Sequence, residues 1–493
     1  MVGSRHAALL LVGASLTLLA ASRPADARSF YVDANRVGAT DSNPGTSSQP
    51  WATIAKAAAT LVGGDTVLVR AGTYYQTRTD NSRYLPVLNP ANSGTATAPI
   101  TFRAYPGDAV IITYAPGVTG TGPLIGSYRK NWVVWDGFII QEVAANYQPD
   151  TGPVVIFGFD AVTIVDHVTI QNCDIRAVVV TYQDNHNALR LENDRYCTIR
   201  NNKIHGVGDG WGVTPNHTGL TAYNTKFATI EHNEVYDNCC GIFIKGPHDP
   251  VNDNVVIRYN LIHDNQIGVR MSFTYNTQVY QNIIRDGHSY NANTIGVQYA
   301  ETCAGTDSTS CAVGYGWVSN RDVYNNTMYN LWEGIEIAGL PDRLTGRGND
   351  WRNNIFSSTH YPILVGPTTP FGEILEYDFR TDYNDYVSYT AFREHQADQS
   401  FSQWRANTTY DANSLISDPL FVSVTGRDFH LLSTSPMLGG CTDWGDLNGN
   451  GSTTDRINIG AYVTGLEVIG PTTAPSNPLD ALGPSPVKDL RAQ

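Results

Sequence analysis

Two cations interrupt two apolar strands of one design. The stretch GIFIKGPHDPVNDNVVIRYNLIHDNQIGVRMS runs from Gly241 to Ser272, and Lys245 and Arg270 stand near the ends of the matching passages NEVYDNCCGIFIK and NLIHDNQIGVRMS. If alternate residues are buried, Ile242, Ile244, Val269 and Met271 point inward. Phe243, Lys245, Arg270 and Ser272 then point outward, because parity alone sets the face of a strand. Aligned on their glycines, the two cations stand one rung apart and two residues out of step. With ~4.8 Å between rungs and ~6.7 Å for two residues of rise, their Cα atoms are expected roughly 8 Å apart. Breaking a uronate backbone by β-elimination requires a base for the proton beside the carboxylate and a cation for the charge that develops there. A neighbouring guanidinium depresses a lysine pKa by disfavouring a second positive charge, which makes the amine a usable base. Arginine stays charged and grips a carboxylate through two parallel hydrogen bonds. Lys245 is therefore the expected base and Arg270 the expected clamp. The competing reading makes each a solvated residue that discourages edge pairing.

Further residues belong to the same outer face. NALRLEND places Arg190 and Glu192 outward if Leu189 and Leu191 are buried, with a plain cross-coil ion pair as the alternative. TIGVQYAE offers Gln298, EGIEIAG offers Glu336, and the outward Phe243 joins them as a substrate-binding candidate. The insertion GVGDGWGVTPNHTGLTAY is expected to form a wall with Trp211, His217 and Tyr223, since sugar rings stack their apolar faces on aromatics. Glycoside hydrolysis, a different chemistry, needs clustered outward carboxylates. Glu192, Asp209 and Glu336 are available for it, with Glu336 several coils from the other two.

The elements that position these residues come from a repeat. V-x-I-x-x-N-x-I, a turn and G-I-x-I recur in VTIQNCDIRA, CTIRNNKIHG, ATIEHNEVYD, VVIRYNLIHD, QVYQNIIRDG, DVYNNTMYN and DWRNNIFSS. The Asn slot holds Cys173, Asn202, Asn233, Asn260, Asn282, Asn326 and Asn354, at steps of 29, 31, 27, 22, 44 and 28 by subtraction. Steps so long and uneven exclude heptads and fit coils of about 22 residues with loops of variable length. Apolar residues alternate with polar ones, the period of a strand with one buried face. Only a stack of parallel coils buries such faces continuously, and the recurring Asn then forms a ladder of amide hydrogen bonds. The expected fold is all-β, a right-handed parallel β-helix (a solenoid).

The start of the chain adds a resemblance. FYVDANRVGATDSNPGTSSQPWATIAKAAATLVGGDTVLVRAGTY resembles the opening of secreted β-helix proteins of the pectate-lyase-like superfamily, which implies a short N-terminal capping helix near Trp51 to Leu61. APITFRAYPGDAVIIT resembles the next coil, and ISDPLFVSVTGRDFHLLSTSPMLGG with INIGAY resembles terminal coils and a closing segment. The resemblance covers roughly Phe30 to Tyr462 and implies secretion and a carbohydrate bias. The Lys245/Arg270 pair is similar to that of β-helix alginate and dermatan lyases, where the two residues also come from adjacent coils. Those lyases carry acidic calcium ligands five and seven residues before the lysine, where this chain has Cys240 and Asn238.

Bulk composition narrows the classes. With 46 acidic and 32 basic residues among 493, the net charge of −14 excludes the basic face a nucleic-acid binder requires. Residues 1–27 read as a signal peptide: Arg5 and His6 precede AALLLVGASLTLLAAS, and Ala25-Asp26-Ala27 forms an A-x-A cleavage site. No later run is apolar for ~20 residues, so a secreted chain, extracellular or periplasmic and not membrane-bound, is expected. Residues 28–465 are read as one β-helix domain, with a cap over about 28–62 and a closing segment over about 415–465; residues 466–493, with their prolines, are read as a flexible tail. Of seven cysteines, Cys303 and Cys311 are the expected loop disulfide, and adjacent Cys239 and Cys240 are not expected to bond each other. DLNGNGSTTD sets Asp446, Asn448 and Asn450 at the spacing of a calcium loop that Asp455 could complete; a plain Asn-Gly turn is the equal alternative. Any such Ca2+ is structural, and no organic cofactor is expected.

Together these readings point to a monomeric polysaccharide lyase acting on an acidic, uronate-containing glycan. The alternatives are a glycoside hydrolase, a uronate epimerase sharing the proton abstraction, or a non-catalytic carbohydrate-binding surface protein.

Overall fold

The computed structural model describes residues 27–78, 82–118, 122–143, 151–158, 163–178, 185–208, 216–246, 252–272, 274–287, 293–301, 320–339, 349–365, 379–394 and 397–472. Trp211, Asp209, Cys303, Cys311 and residues 1–26 of the expected signal peptide lie outside them. No helix among the described residues is long and apolar enough to cross a membrane.

The repeat becomes a stack of parallel coils. One face is a 12-stranded parallel sheet, from Ser29–Val32 to Phe379–Asp382, and the other faces merge into a 23-stranded sheet. Register keeps equivalent residues in columns: Ile199 pairs with Ile230, Ile230 with Ile257, and Ile257 with Val279. All four are fully buried in one core that runs through the coils. The helix Ile54–Thr60 closes the first coil, capped by the Thr53 side chain accepting from the Lys56 amide, and it buries Ile54, Ala57 and Ala58.

The amide ladder forms as expected and is longer than the repeat suggested. Oδ1 of Asn233 accepts from both the backbone and the side-chain N–H of Asn202, each at 3.0 Å. The same pair of hydrogen bonds links Asn233 to Asn260, Asn260 to Asn282, Asn282 to Asn326, Asn326 to Asn354, and Asn354 to Asn384. Each rung turns its corner through a left-handed residue just before the ladder Asn, such as Asn201 (φ 60°), His232 (55°) and Tyr259 (56°). A second ladder joins Asn238 to Asn265 at 3.1 Å, so one of the positions that would carry a calcium ligand in the alginate-lyase pattern holds a buried structural amide.

Glycine recurs in the G-I-x-I segment because the coils approach closely there. A Cβ on Gly241 would meet the Gly268 carbonyl at 2.7 Å, one on Gly268 the Gly296 carbonyl at 2.7 Å, and one on Gly296 the Gly334 carbonyl at 2.6 Å. The bend at this column brings Cys240 and Phe243, three residues apart, into one outer cluster with Ile267 and Ile295.

Two stretches differ from expectation. ISDPLFVSVTGRDFHLL and INIGAY make no terminal coils. Phe421–Ser423 pairs antiparallel with Asp428–Leu431, and Cys441–Thr442 with Arg456–Ile457, forming a separate small core on the outside of the stack. Residues 466–472, expected to be flexible, are bound to the coils. The Gly470 amide donates to the Tyr259 carbonyl at 2.8 Å and the Thr472 amide to Asn201 Oδ1 at 3.0 Å. A further helix, Phe401–Thr408, starts at a capping box of Ser400 and Gln403, an S-x-x-Q signal legible in the sequence.

Candidate functional site

Three strands of the outer face carry the site: Asn187–Arg195, Thr218–Lys226 and Cys240–Lys245. Register sets Arg190 against Thr221 and Thr221 against Phe243, and in the next column Glu192 against Tyr223 and Tyr223 against Lys245. Leu189, Leu191, Leu220, Ala222, Ile242 and Ile244 fill the core between them, so the period of two delivers the polar set outward. These columns line a cavity of about 230 Å³ with Tyr84, Asn185, Asn187 and Asn216.

Inside it, Arg190 and Glu192 form an ion pair within one strand, not across coils. Arg190 Nε donates to Glu192 Oε2 at 2.7 Å, Nη2 lies 2.6 Å from the same oxygen, and Nη1 donates to Asn187 Oδ1 at 3.2 Å. The Arg190 guanidinium also lies 5.7 Å from the centre of the Tyr223 ring. Burial, and then Glu192, raise the Tyr223 hydroxyl above its usual pKa, with Arg190 opposing them. Lys245 Nζ donates to Asn216 Oδ1 at 3.3 Å.

The strand Ile267–Ser272 pairs with Cys240–Lys245 in the expected register: Phe243 faces Arg270 and Lys245 faces Ser272. Ile242, Ile244, Val269 and Met271 are fully buried as parity requires. Both cations lie over one ring, Arg270 at 4.9 Å and Lys245 at 5.7 Å from the centre of Phe243. Arg270 nevertheless stands outside the cavity lining, whose guanidinium is that of Arg190, two rungs from Lys245. Burial lowers the Arg270 pKa, and Glu336 is among the groups that oppose it.

Arg270 opens a second outward column. It pairs with Gln298, which pairs with Glu336. Gln298 donates to Glu336 Oε2 at 2.6 Å. Glu333, on the same strand, has a raised pKa, from burial first and from Glu336 second; burial raises Glu336 too, against Gln298 and Arg270. Glu336 stands three rungs from Phe243, about 14 Å along the axis. The sequence therefore assigned Gln298 and Glu336 to the right face, but they meet each other rather than Lys245.

His217 is a correction. It is fully buried, packed edge-on to His186 at 6.4 Å between ring centres, and makes no wall. Its carbonyl accepts from the Cys240 amide, so it is a member of the coil stack and not of a loop over the groove. Tyr84, Asn185, Asn187, Asn216 and Thr221 escaped the sequence reading. Thr221 has a parity signal; Tyr84 has none, because it arrives from a distant coil, where it stacks on Phe157 at 4.1 Å.

The calcium-like turn is held by its own hydrogen bonds. Asn448 and Asn450 each donate to Asp455 Oδ2 at 2.7 Å, and Asp446 Oδ1 accepts from the Gly451 amide at 2.9 Å. Both amides must turn over before their oxygens can face a cation. Among the described residues, no group of three His, Cys, Asp or Glu is placed to hold a metal.

A family model described as a right-handed β-helix region matches residues 160–313. The fold is the right-handed parallel β-helix. An uncharacterized protein, YwoF of Bacillus subtilis (strain 168), is 25% identical over 471 residues, covering 83% of this chain and 91% of that one. The crystal structure of pectate lyase Pel9A superposes with a TM-score of 0.55 at 14% identity, over 89% of this chain and 96% of that one. A rhamnogalacturonan lyase gives a TM-score of 0.37 at 14% identity, over 81% and 91%. The likeness to Pel9A is one of fold.

Proposed function

We propose that the protein is an exported polysaccharide lyase that cleaves a uronate-containing glycan by β-elimination in the cavity of Lys245. One observation carries the reading: an amine, a phenol and a guanidinium, Lys245, Tyr223 and Arg190, line one cavity on adjacent rungs. With Glu192 the lining carries two cations against one anion, a balance suited to one carboxylated sugar ring. In the proposed step the Lys245 amine takes the proton beside the carboxylate. The Tyr223 hydroxyl protonates the departing glycosidic oxygen as that bond breaks and the ring double bond forms. Arg190 holds the carboxylate: three of its five N–H donors go to Glu192 and Asn187, and two remain. Arg270, 4.9 Å from the centre of the Phe243 ring, adds positive potential that favours the neutral amine.

The kinship in fold with a pectate lyase agrees with this chemistry, since that name denotes a lyase of an acidic polysaccharide. Calcium bound at the Asp446–Asp455 turn would brace the closing segment. Export rests on the leader, and a mature N-terminus at Arg28 would support it. The test is ultraviolet absorbance of an unsaturated uronate product across a panel of acidic glycans.

A second reading has its own observation. Glu333 and Glu336 are two carboxyls on one strand, Glu333 raised by burial and by Glu336, and Glu336 raised by burial against Gln298 and Arg270; a carboxyl held protonated in this way can serve as the acid of glycoside hydrolysis. New reducing ends without the ultraviolet signal would select it.

A further inference from the structure

The cavity of Lys245 stops short on the side of the first coils. One outward column runs through Tyr128, Phe157, Glu192, Tyr223 and Lys245 on successive rungs. Glu192, Tyr223 and Lys245 line the cavity, whereas Tyr128 and Phe157 do not. The lining residue at the boundary is Tyr84, half-buried and stacked on Phe157 at 4.1 Å between ring centres and 8° between planes. Phe157 is in turn stacked near-parallel to Tyr128, at 5.9 Å and 13°. Three rings thus stand together where the cavity ends.

Tyr84 comes from outside the coils that it borders. Leu88, four residues on, bridges to Ile125, whose strand pairs with that of Val154 and then with that of Leu189. The chain around Tyr84 therefore starts three rungs, about 14 Å, before the rung of Arg190. It is fastened on both sides of the ring. Arg78 donates to the Leu85 carbonyl at 2.5 Å and to the Ser82 carbonyl at 3.3 Å, and the Val87 amide donates to the Pro123 carbonyl at 2.9 Å. Past Tyr84 the outer face of the sheet is covered. Val155 points outward between the core residues Val154 and Ile156, yet it is fully buried; Phe157 is 6% exposed, and Gly126 is buried. At the other end of the cavity the next rung begins with the part-exposed Arg270. A sugar in the cavity thus meets an aromatic ring on one side and has no open sheet beyond it.

We propose that Tyr84 is a specificity-determining wall: the sugar ring held by Arg190 and Lys245 packs on the part of Tyr84 that Phe157 leaves free, and because no unit fits past that wall, cleavage occurs at the end of a glycan chain and not within it. Aromatic rings pack on the apolar faces of sugars, and a ring already held by its neighbours binds without first having to be ordered. The inference rests on the proposal that this cavity is where the glycan is cut, and adds the mode of attack and the residue that sets it.

The experiment follows product size in the earliest stage of conversion of alginate and polygalacturonate by the full chain, with both ultraviolet and reducing-end detection. One short product of fixed length is expected from the outset, while the viscosity of the polymer falls slowly. Tyr84→Ala should raise KM about tenfold through lost stacking, with a much smaller change in kcat, and should lengthen the product. Tyr84→Phe, which keeps the ring, should stay within about twofold of the parent. Tyr84→Leu, which keeps bulk but no aromatic face, decides the matter if the alanine variant does not fold. End-wise release without the ultraviolet signal would remove the elimination chemistry and leave this inference standing. A mixed ladder of oligosaccharides at the outset would overturn the inference and leave elimination intact. Unchanged KM and product size in Tyr84→Ala would overturn it as well. If neither polymer is cut, isothermal titration with trigalacturonate and trimannuronate decides: equal affinity in parent and Tyr84→Ala, or no binding, overturns the proposal, and a tenfold weakening supports it.

Discussion

Tyr223 and Lys245 are direct partners across adjacent coils, and both open into one cavity. Partners on neighbouring parallel strands are held about 4.8 Å apart by the backbone ladder, close enough for the phenol and the amine to reach one sugar ring in the proposed reaction. The proposed acid and base are both positioned by paired strands of the coil stack.

Lys245→Ala is expected to lower turnover by 10²- to 10⁴-fold, roughly the worth of a general base, with Tyr223→Phe showing a similar deficit. Product absorbance under saturating substrate measures both, and thermal melts should stay within a degree or two of the parent. Near-parental rates in the lysine variant would remove the elimination step.

Arg190→Ala and Arg270→Ala separate the two guanidiniums. Loss of a charge-assisted bond to the substrate carboxylate predicts about a 10- to 100-fold fall in kcat/KM for Arg190→Ala. Arg270, outside the cavity lining, should cost less and act through the pH dependence of the rate. Equal losses with unchanged pH profiles would restore Arg270 as the direct clamp.

Asn260→Ala tests the ladder. The Asn260 amide donates to Ile230 O, Arg258 O and Asn282 Oδ1, and its Oδ1 accepts twice from Asn233. Removing it strands buried partners on both neighbouring rungs, at about 1–3 kcal/mol each, so denaturant unfolding should show a loss of roughly 3 kcal/mol or more. A loss under ~1 kcal/mol would mean that the ladder adds nothing beyond the strand pairing.

Stability is expected to fall as pH rises from mildly acidic to mildly basic. Burial pushes Asp194, Asp322 and Asp385 each up to about 7. Between the unfolded value of about 4 and this range the folded chain holds protons that the unfolded chain has released, so each unit of pH favours unfolding. The melting temperature should be several degrees higher near pH ~5 than near pH ~8, and Asp194→Asn should flatten the slope. A melting temperature that climbs across this interval would contradict the assignment.

Much of the molecule is written into the chain locally. The repeat names the coils, the Asn column names the ladder, and parity names the face and the register of Lys245 and Arg270. These are short-range properties: side-chain direction alternates with every residue, and a parallel coil repeats the choice on the next rung. Contacts between coils with no common period were decided only in three dimensions. Tyr84 enters the cavity from a distant coil, His217 is drawn into the stack, and Arg190 joins Lys245 in the cavity lining while Arg270 stands outside it. The closing segment likewise folds into hairpins against the outer turns, because its partners there lie far away in sequence and leave no periodic trace in it.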